Sequence, residues 1–508
     1  MQTSPALVAP GDEHNARLVA NVHPSGWHNP SPPRQRYHLV VIGAGTAGLV
    51  TAAGAAGLGA RVALVERHLM GGDCLNVGCV PSKGIIAAAR AWHDARTASS
   101  RFGGPVTVTD RGDFGAAMER MRRIRADLSS LDSAERFARL GVDVYLGHAR
   151  FTVPDRVKVG DSVLRFRRAV IATGARAAVP AIPGLDEAGY YTNETIFTLT
   201  TLPERLLVLG AGPIGCELAQ AFARLGSRVT VLHRGDRALP RDDPDAARIV
   251  EAALRADGVT LEVGAEARRV ARGPGGTRVQ FTQRDRAGEV ECDAILVATG
   301  RTPNLEDLGL EVAGVKTGKR GIVVDDRLLT SNGRVYAIGD VSSRYQFTHV
   351  ADFQARLVIA NALFFGRGRA SRLVIPWATY TSPEVAHVGL TPEEAERRGV
   401  AIETVTVPFA HVDRAALAGD TEGFLRVHLR RGTDTLAGAT VVAPDAGDLI
   451  AEAALAMTNG LGLSAMGRTI HPYPTFAEAW RKAADLRRRE KLTPFAKRIL
   501  GLWFRVFA

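Results

Sequence analysis

Two cysteines close together in a glycine-rich stretch are the clearest indication of chemistry in this chain. Residues 71–83 read Gly-Gly-Asp-Cys-Leu-Asn-Val-Gly-Cys-Val-Pro-Ser-Lys, which places Cys74 and Cys79 five positions apart. Thiols at this spacing predict a redox pair that opens and closes as a disulfide, in preference to two buried structural cysteines. A zinc site is less favoured, because the remaining cysteines, Cys216 and Cys292, are isolated and lack metal-ligand spacing.

The composition is that of an ordinary globular protein. The chain has 508 residues, of which 46% are hydrophobic and 23% charged, and its formal net charge is +11. This length predicts about three domains. No nucleic-acid module is recognisable, so the charge favours anionic cofactors or a membrane surface over nucleic acid as partners. Four cysteines, no signal-peptide pattern and no long apolar run predict a cytoplasmic protein.

A glycine turn precedes the cysteine pair. An apolar strand at 38–42 leads into Gly43-Ala-Gly45-Thr-Ala-Gly48, then into a helix of small residues and a second strand that ends in Glu66. The first glycine makes the tight turn, the second admits a pyrophosphate, and the third lets helix and strand pack closely. The pattern predicts a dinucleotide site, in which Glu66 accepts hydrogen bonds from ribose hydroxyls.

The same order of elements recurs over residues 205–232. The glycines of this second turn are Gly210, Gly212 and Gly215. In the first copy an acid stands 18 residues after the third glycine, whereas here that offset falls on His233, followed by Arg234 and Arg237. Cationic groups at this point favour a ribose 2′-phosphate, so we expect NADPH rather than NADH. A purely solvated strand end is the alternative for His233 and Arg234.

Further landmarks lie between the two glycine turns and after them. Two apolar strands close on Ala-Thr-Gly, ending at Gly174 and Gly300, and are expected where the chain passes between nucleotide domains. A strand at 335–338 ends in Gly-Asp340, a placement that suits a polyol chain. Thr348 is then expected to cap a helix from His349, and this end of the helix would stabilise negative charge.

The C-terminal part has a different pattern. From about residue 375, alternating strands and helices predict a separate α+β domain. A basic run at 487–491 and an aromatic, basic segment at 495–507 then predict an amphipathic helix. Such a helix is suited to an anionic membrane surface, or alternatively to docking on the protein's own dimer.

In this order, the motifs resemble those of the flavin-dependent pyridine nucleotide–disulfide oxidoreductases, which include dihydrolipoamide dehydrogenase, glutathione reductase and mercuric reductase. The resemblance spans roughly residues 37–485. It implies an α/β fold with two Rossmann-like domains, one for FAD and one for NAD(P)H, and a C-terminal α+β dimerisation domain. The expected boundaries are an irregular arm (1–36), an FAD domain (37–190 and 302–372), a nicotinamide domain (191–301), an interface domain (373–485) and a basic aromatic tail (486–508).

The resemblance also implies roles for individual residues. Cys79 would lie against the flavin, and Cys74 would be the interchange thiol that meets substrate. Lys83 would lie near the flavin and pair with Glu217 of the nicotinamide domain, while Asp340 would hold the ribityl chain.

Two more implied features concern negative charge and dimerisation. The helix that starts near Thr348 and His349 would direct its N-terminus at the flavin. Members of the family are homodimers, so Tyr473 and Glu478 would act in the partner's active site.

Tyr473 departs from the pattern of members that reduce disulfides. Those members carry a histidine in this place, followed by a glutamate at the spacing of Glu478. A phenol with a pKa near 10 is poorly suited to proton exchange with thiols, and His471 is expected to point elsewhere. Tyrosine here is similar to the mercuric reductase branch, whose members however end in a vicinal cysteine pair. This chain has no cysteine after Cys292.

The sequence therefore predicts an FAD- and NADPH-dependent oxidoreductase of the mercuric reductase-like branch. Electrons would pass through Cys79 and Cys74 to a small molecule or a soft metal ion, with Hg(II) held transiently by the two thiolates and no permanent metal. A dihydrolipoamide dehydrogenase-like thiol–disulfide exchanger, a membrane-associated quinone or diaphorase-type reductase, and a non-catalytic flavin-binding regulatory protein are the alternatives.

Overall fold

The computed structural model describes residues 8–104, 112–273, 275–490 and 493–507. The chain divides into two compact units. The first comprises residues 1–98, 105–235 and 258–373. The second comprises residues 99–104, 236–257 and 374–508.

A seven-stranded sheet carries the first glycine turn. Its strands are β1 (Tyr37–Ile42), β2 (Val62–Glu66), β3 (Val142–Leu146), β4 (Ala149–Val153), β5 (Arg156–Val159), β6 (Ser162–Ile171) and β18 (Val335–Ala337). Their order is β3-β2-β1-β6-β5-β4, with β18 also paired to β6. The pairs among β1, β2, β3, β6 and β18 are parallel, whereas β4 and β5 extend the sheet as antiparallel strands. Strands buried on both faces explain the continuous apolar run of β1.

Helices cover this sheet and connect its strands. The helices of the first unit are α1 (Glu13–Val22), α2 (Thr46–Gly57), α3 (Gly72–Asn76), α4 (Cys79–Phe102), α5 (Phe114–Ser129), α6 (Ala134–Arg139), α7 (Leu185–Ala188), α8 (Pro213–Arg224) and α10 (Thr348–Leu363). Small residues along α2 let it pack closely on β1 and beside α10.

A second parallel sheet carries the second glycine turn. It consists of β8 (Arg205–Leu209), β9 (Arg228–His233), β10 (Thr260–Val263) and β14 (Ala294–Val297), in the order β10-β9-β8-β14. An antiparallel meander follows, formed by β11 (Ala265–Gly273), β12 (Gly276–Gln283) and β13 (Arg286–Cys292). Four short strands complete the unit, β7 (Ala175–Ala177), β15 (Arg301–Pro303), β16 (Thr317–Gly318) and β17 (Gly321–Ile322).

The prediction of an irregular N-terminal arm is wrong for residues 13–22. They form α1, which begins after Asp12, whose carboxylate accepts a hydrogen bond from the Asn15 backbone N–H. Leu18 and Val22 stand one helical turn apart and are buried in the core. A capping residue and an apolar face are enough to form this helix, although the segment is rich in polar residues and proline. Residues 1–7 lie outside the described part of the chain.

The second unit is built on a five-stranded antiparallel sheet. Its strands are β19 (Pro376–Thr379), β20 (Glu384–Gly389), β21 (Ile402–Pro408), β22 (Phe424–Arg430) and β23 (Leu436–Ala443), in the order β19-β20-β23-β22-β21. Its helices are α9 (Pro244–Ala256), α11 (Pro392–Arg397), α12 (Asp413–Ala418), α13 (Ala446–Thr458), α14 (Leu463–Arg468), α15 (Glu478–Glu490) and α16 (Pro494–Val506).

The predicted basic aromatic tail spans parts of two helices. α15 continues to Glu490, past the boundary expected at 485, and residues 491, 492 and 508 lie outside the described chain. α16 has no buried residue. Across the residues described, the structure has no helix that combines the length and apolar character of a membrane span.

Candidate active site

The two thiols of the glycine-rich stretch lie on neighbouring helices. Cys74 is in α3, and Cys79 is the first residue of α4. Both are free thiols, and they share a hydrogen bond. The Thr348 hydroxyl of α10 lies 3.4 Å from the Cys79 sulfur. The structure thus brings three predicted site residues together, although Thr348 is 269 positions away from Cys79 in sequence.

These contacts give the two thiols different acidities. The largest influence is the hydrogen bond from Cys74, which lowers the pKa of Cys79 to about 6. Thr348 and the charge of Lys83 also lower this pKa, whereas burial and Asp73 raise it. The hydrogen bond to Cys79 and burial raise the pKa of Cys74. Because the N-terminus of α4 also favours negative charge, the pair holds one thiolate, at Cys79, near neutral pH.

Glycines let the redox stretch lie directly against the first glycine turn. Gly71 and Gly72 have positive φ angles of 88° and 58°. A Cβ on Gly72 would stand 2.5 Å from the Cα of Gly45, so no other residue fits without moving the backbone. The Gly71 N–H donates to the Ala44 carbonyl at 2.8 Å. The thiols are therefore held beside the turn where a dinucleotide is expected to bind.

Lys83 and Glu217 form an ion pair, as the family resemblance implied. The Lys83 Nζ lies 2.8 Å from the Glu217 Oε2, and the Glu217 side chain is only 7% exposed. Lys83 lies one turn after Cys79 on α4, while Glu217 is on α8, after the second glycine turn. The pair therefore links the redox helix to the second Rossmann-like sheet and keeps a positive charge near the Cys79 thiolate.

The first glycine turn has the geometry required to hold a pyrophosphate. A Cβ on Gly43 would stand 2.4 Å from the Ala172 carbonyl oxygen, and a Cβ on Gly48 would stand 1.8 Å from the Gly43 oxygen. The Glu66 carboxylate accepts a 2.6 Å hydrogen bond from the Ala44 N–H, which fixes it at the end of β2. α2 begins at Thr46, and its cap residue Gly45 has no side chain to cap it, so the first N–H groups of the helix can donate to a bound anion.

Asp340 lies just after β18 and has a partner that sequence reasoning missed. Burial raises the pKa of Asp340 to about 6, and the charge of Arg301 opposes this rise. The Arg301 Nη2 lies 3.5 Å from Asp340 and 3.2 Å from Asp73, which precedes Cys74. The only feature of the sequence that could have indicated this contact is that Arg301 directly follows Gly300, which was predicted to lie near a nucleotide.

The prediction that Thr348 caps α10 is wrong. Thr348 is the first helical residue, and the cap position is Phe347, which is extended and has no side-chain oxygen to accept the helix N–H groups. The Phe347 ring stacks on His349, with ring centroids 5.4 Å apart. The Thr348 hydroxyl is directed to Cys79 instead. The start of α10 therefore has no side-chain cap and can stabilise negative charge on a ligand, as expected.

The second glycine turn repeats the backbone geometry of the first, but a histidine takes the place of the glutamate. Gly210 has a φ of 108°, and a Cβ on Gly215 would stand 2.0 Å from the Gly210 oxygen. The cap position of α8 is Gly212, which provides no side-chain cap. The Ala211 N–H donates to His233 Nδ1 at 3.3 Å. The His233 ring therefore stands where the Glu66 carboxylate stands in the first turn.

Three of the remaining predicted residues also flank the nucleotide sheets. Gly174 and Gly300 have positive φ angles of 68° and 147°, and in each case the Cβ position has no atom closer than 3.9 Å. Arg234 is exposed, directly after His233. Arg237 belongs to the second unit, where it donates to the Pro240 carbonyl at 3.1 Å.

In the second unit, Tyr473 and Glu478 have opposite exposure. The Tyr473 ring is 69% exposed, and its hydroxyl donates to Asp413 at 2.9 Å, which raises the pKa of the phenol. Glu478 is buried at the start of α15. His471 is 2.9 Å from Glu452 with its side chain only 6% exposed, so it points away from solvent.

A buried arginine connects the N-terminal helix to the loop between the cysteines. Arg125 of α5 donates to the Asn76 carbonyl at 2.8 Å and to the Asn15 side chain of α1 at 2.6 Å. Asn76 lies between Cys74 and Cys79. No motif in the sequence indicated this brace, because its three residues come from separate helices.

The sequence was compared with known families and proteins. The profile of the pyridine nucleotide-disulphide oxidoreductase family matches residues 37–355, and that of its dimerisation domain matches residues 375–484. A mercuric reductase of Streptomyces lividans is 39% identical over 455 residues, covering 88% of this chain and 96% of that protein. A dihydrolipoyl dehydrogenase of Thermus scotoductus is 35% identical, covering 88% of this chain and 97% of that protein.

A solved structure gives the same result for the fold. The HOCl-induced flavoprotein disulfide reductase RclA from Escherichia coli superimposes with a TM-score of 0.79 at 30% identity, covering 89% of this chain and all of that chain. The predicted α/β architecture and the dimerisation domain are confirmed. The glycine turns, the uncapped starts of α2 and α10 and the buried Asp340 fit the FAD on which the family depends.

The acidity of Cys79 can be tested directly. We expect one thiol of the reduced protein to titrate with a pKa of about 6, measured by the ultraviolet absorbance of the thiolate. This titration step should be absent from Cys79→Ser. Since Asp73 raises this pKa and Lys83 lowers it, Asp73→Asn should shift the step to lower pH and Lys83→Met to higher pH. Cys292→Ser is the control, because burial raises the pKa of Cys292 to about 12. Shifts of equal sign in the Asp73 and Lys83 variants would contradict the assignment.

Proposed function

Because the chain belongs to the pyridine nucleotide–disulfide oxidoreductase family, we propose that it oxidises NADPH and delivers the electrons to a soft metal ion held by Cys74 and Cys79. The family identifies the chain as an FAD-dependent oxidoreductase that uses NAD(P)H. When bound, FAD would accept a hydride from the nicotinamide and pass its two electrons to the cysteine pair. Residues of the two glycine turns and Asp340 would hold these cofactors, with Thr348 and His349 at the flavin end.

The two thiols have different tasks in this proposal. Cys79, with its low pKa, carries the thiolate that lies toward the flavin, and Lys83, held by Glu217, balances its charge. Cys74 remains a thiol and is the first to meet the acceptor. The single observation that carries the proposal is the geometry of the pair: two free thiols lie together at the start of α4, beside Thr348 and the Lys83–Glu217 ion pair, which a structural cysteine pair does not need.

The metal step uses thiolate exchange. A complex of Hg(II) with two small thiolates exchanges both ligands for the sulfurs of Cys74 and Cys79. One small ligand leaves as a thiol with the Cys74 proton, and the other leaves as a thiolate, because Cys79 is already deprotonated. Two electrons that originate in NADPH then reduce Hg(II) to Hg(0), and both cysteine thiolates are released. The mercuric reductase relatives support this acceptor.

A dihydrolipoyl dehydrogenase-like exchange of disulfides is the second candidate, favoured by the 35% identity to the Thermus scotoductus enzyme. Tyr473 argues against it. Its contact with Asp413 raises the pKa of a phenol that is already too weakly acidic to exchange protons with thiols at neutral pH. In the proposed homodimer, Tyr473 and Glu478 complete the partner's active site.

Removing the interchange thiol tests the metal proposal. We expect Cys74→Ala to lower NADPH-dependent Hg(II) reduction by at least about 100-fold, because one cysteine cannot form the linear dithiolate complex. Cys292→Ala, which removes a buried thiol elsewhere, should retain the activity. Volatile mercury and NADPH oxidation would be measured together, with lipoamide, glutathione disulfide and quinones as parallel acceptors. Unchanged Hg(II) turnover in Cys74→Ala, or lipoamide as the preferred wild-type acceptor, would refute the proposal.

The preference for NADPH rests on the second glycine turn. His233 replaces the carboxylate found in the first turn, and the exposed Arg234 follows it, so we propose that both face the 2′-phosphate. Arg234→Ala should raise the KM for NADPH by about 10- to 100-fold and change the KM for NADH little. Arg228→Ala is a matched control, since Arg228 is an exposed arginine at the other end of β9. Equal effects on both nicotinamides would contradict this assignment.

We further propose that α16 attaches the enzyme to an anionic membrane surface. Aromatic and aliphatic side chains on one face of this helix, among them Phe495, Ile499 and Trp503, are 51–72% exposed. Lys497, Arg498 and Arg505 follow the helical spacing of its opposite face, which has no acidic residue.

Truncation tests the attachment. We expect the full-length enzyme to float with vesicles that contain anionic lipid and not with purely zwitterionic vesicles. A chain that ends at Glu490 should remain in solution with both and keep its NADPH oxidation. Equal flotation of the truncated and full-length chains would remove α16 from this role.

A further inference from the structure

An arginine-rich cavity lies on the seven-stranded sheet of the first unit. Its volume is about 620 Å³, and its lining residues are Arg36, Arg167, Arg168, Asn332, Gly333 and Arg334. The cavity opens near the N-terminal ends of β1 and β18. The predicted nucleotide contacts are at the other ends of these strands, where Gly43 and Asp340 follow them. It is therefore separate from the site described above.

Strand register brings the four arginines together. Tyr37, which follows Arg36, pairs with Phe166, next to Arg167. Val335 pairs with Ala169, and the Ala169 N–H donates to the Arg334 carbonyl at 2.9 Å. Arg167 and Arg168 thus lie in β6, and Arg36 and Arg334 directly precede the two strands that pair with it, although these two residues are far apart in sequence. Their proximity is set by the sheet rather than by a flexible basic run.

The four arginines that line the cavity form no ion pair within the described part of the chain. No carboxylate there forms an ion pair with Arg36, Arg167, Arg168 or Arg334, whereas nearby Arg165 pairs with Asp155 at 3.6 Å. The Arg168 Nε is buried without a hydrogen-bond partner, and its Nη1 donates to the Gly333 carbonyl at 3.2 Å. Guanidinium groups that line one pocket repel one another, and an anion bound between them would relieve this repulsion.

The positive charge of the cavity also affects a neighbouring histidine. His38, on β1, has its pKa lowered by burial first and then by the charges of Arg61 and Arg167. Arg61 also donates from its Nε to the Arg36 carbonyl at 3.2 Å, which adds a fifth guanidinium beside the cavity.

We propose that this cavity binds an oligophosphate anion. Several guanidinium groups that line one solvent-open pocket match the charge of successive phosphates, and arginine is the side chain best suited to bind phosphate oxygens. The lining has no aromatic or aliphatic residue to receive a base, so the phosphates are the recognised group. Inorganic oligophosphate and the phosphate chain of a nucleotide share this chemistry. The proposal does not depend on the enzyme's electron acceptor.

Calorimetry on the full-length holoenzyme tests the site, with inorganic tripolyphosphate and ATP as separate probes and saturating NADP⁺ present to occupy the nicotinamide site. We expect binding of tripolyphosphate, and at least a 10-fold weaker affinity in the double variant Arg167→Gln, Arg334→Gln. Both side chains are exposed, so their replacement should leave the fold intact. The control variant Arg156→Gln, Arg165→Gln removes two arginines outside the cavity and should change the affinity less than about 3-fold.

The comparison of tripolyphosphate with ATP distinguishes the two possible ligands, and other results would overturn the proposal. Equal affinities for tripolyphosphate and ATP assign recognition to the phosphates alone, whereas a tighter ATP complex identifies a nucleotide as the ligand. The proposal is overturned if neither probe binds at physiological salt, if NADP⁺ abolishes binding, or if both double variants weaken it equally. Binding only to long nucleic acid, tested with an oligonucleotide, would overturn the small-anion assignment as well.

Discussion

The active site depends on a contact between two backbones that only glycine permits. The redox stretch crosses the first glycine turn so closely that a side chain at Gly72 would meet the Cα of Gly45. This contact holds α3 and the start of α4 against the strand–turn–helix of the first sheet. Without it, neither thiol would have a fixed position relative to the nucleotide turn, and the later contacts of the site could not form.

Electrostatic influences of opposite sign meet at the thiols. Lys83 and the start of α4 favour a thiolate at Cys79, while Asp73 disfavours it. Arg301 bridges Asp73 to Asp340, so the charge beside Cys74 and the carboxylate expected to contact the cofactor share one guanidinium. A change in ligation at Asp340 can therefore alter the field at the dithiol through a single side chain.

The two Rossmann-like sheets show how one fold serves two dinucleotides. Each turn has a backbone N–H that donates to the residue at the end of the second strand, from Ala44 to Glu66 and from Ala211 to His233. The backbone geometry is thus repeated while the acceptor changes from a carboxylate to an imidazole. The two sites therefore differ in this side chain and not in the geometry of their turns.

The sequence by itself determined those features that depend only on residues close together in the chain. The glycine turns, the spacing of Cys74 and Cys79 and the apolar strands follow from backbone sterics and periodicity, which act over a few residues. The same local rules failed at Thr348, where a good capping residue is the first helical residue and its hydroxyl shares a hydrogen bond with the Cys79 sulfur instead. They also missed α1, whose short apolar face is weak evidence until it packs on α5.

Only the tertiary structure decided the contacts between distant segments. Arg301 on Asp73, Arg125 on Asn76 and the four arginines of the cavity are each joined by sheet register or helix packing, and none has a motif. Lys83 and Glu217 could be paired beforehand through the family resemblance alone. A charged side chain carries no local preference for its partner, so the partner is chosen when the strands and helices pack.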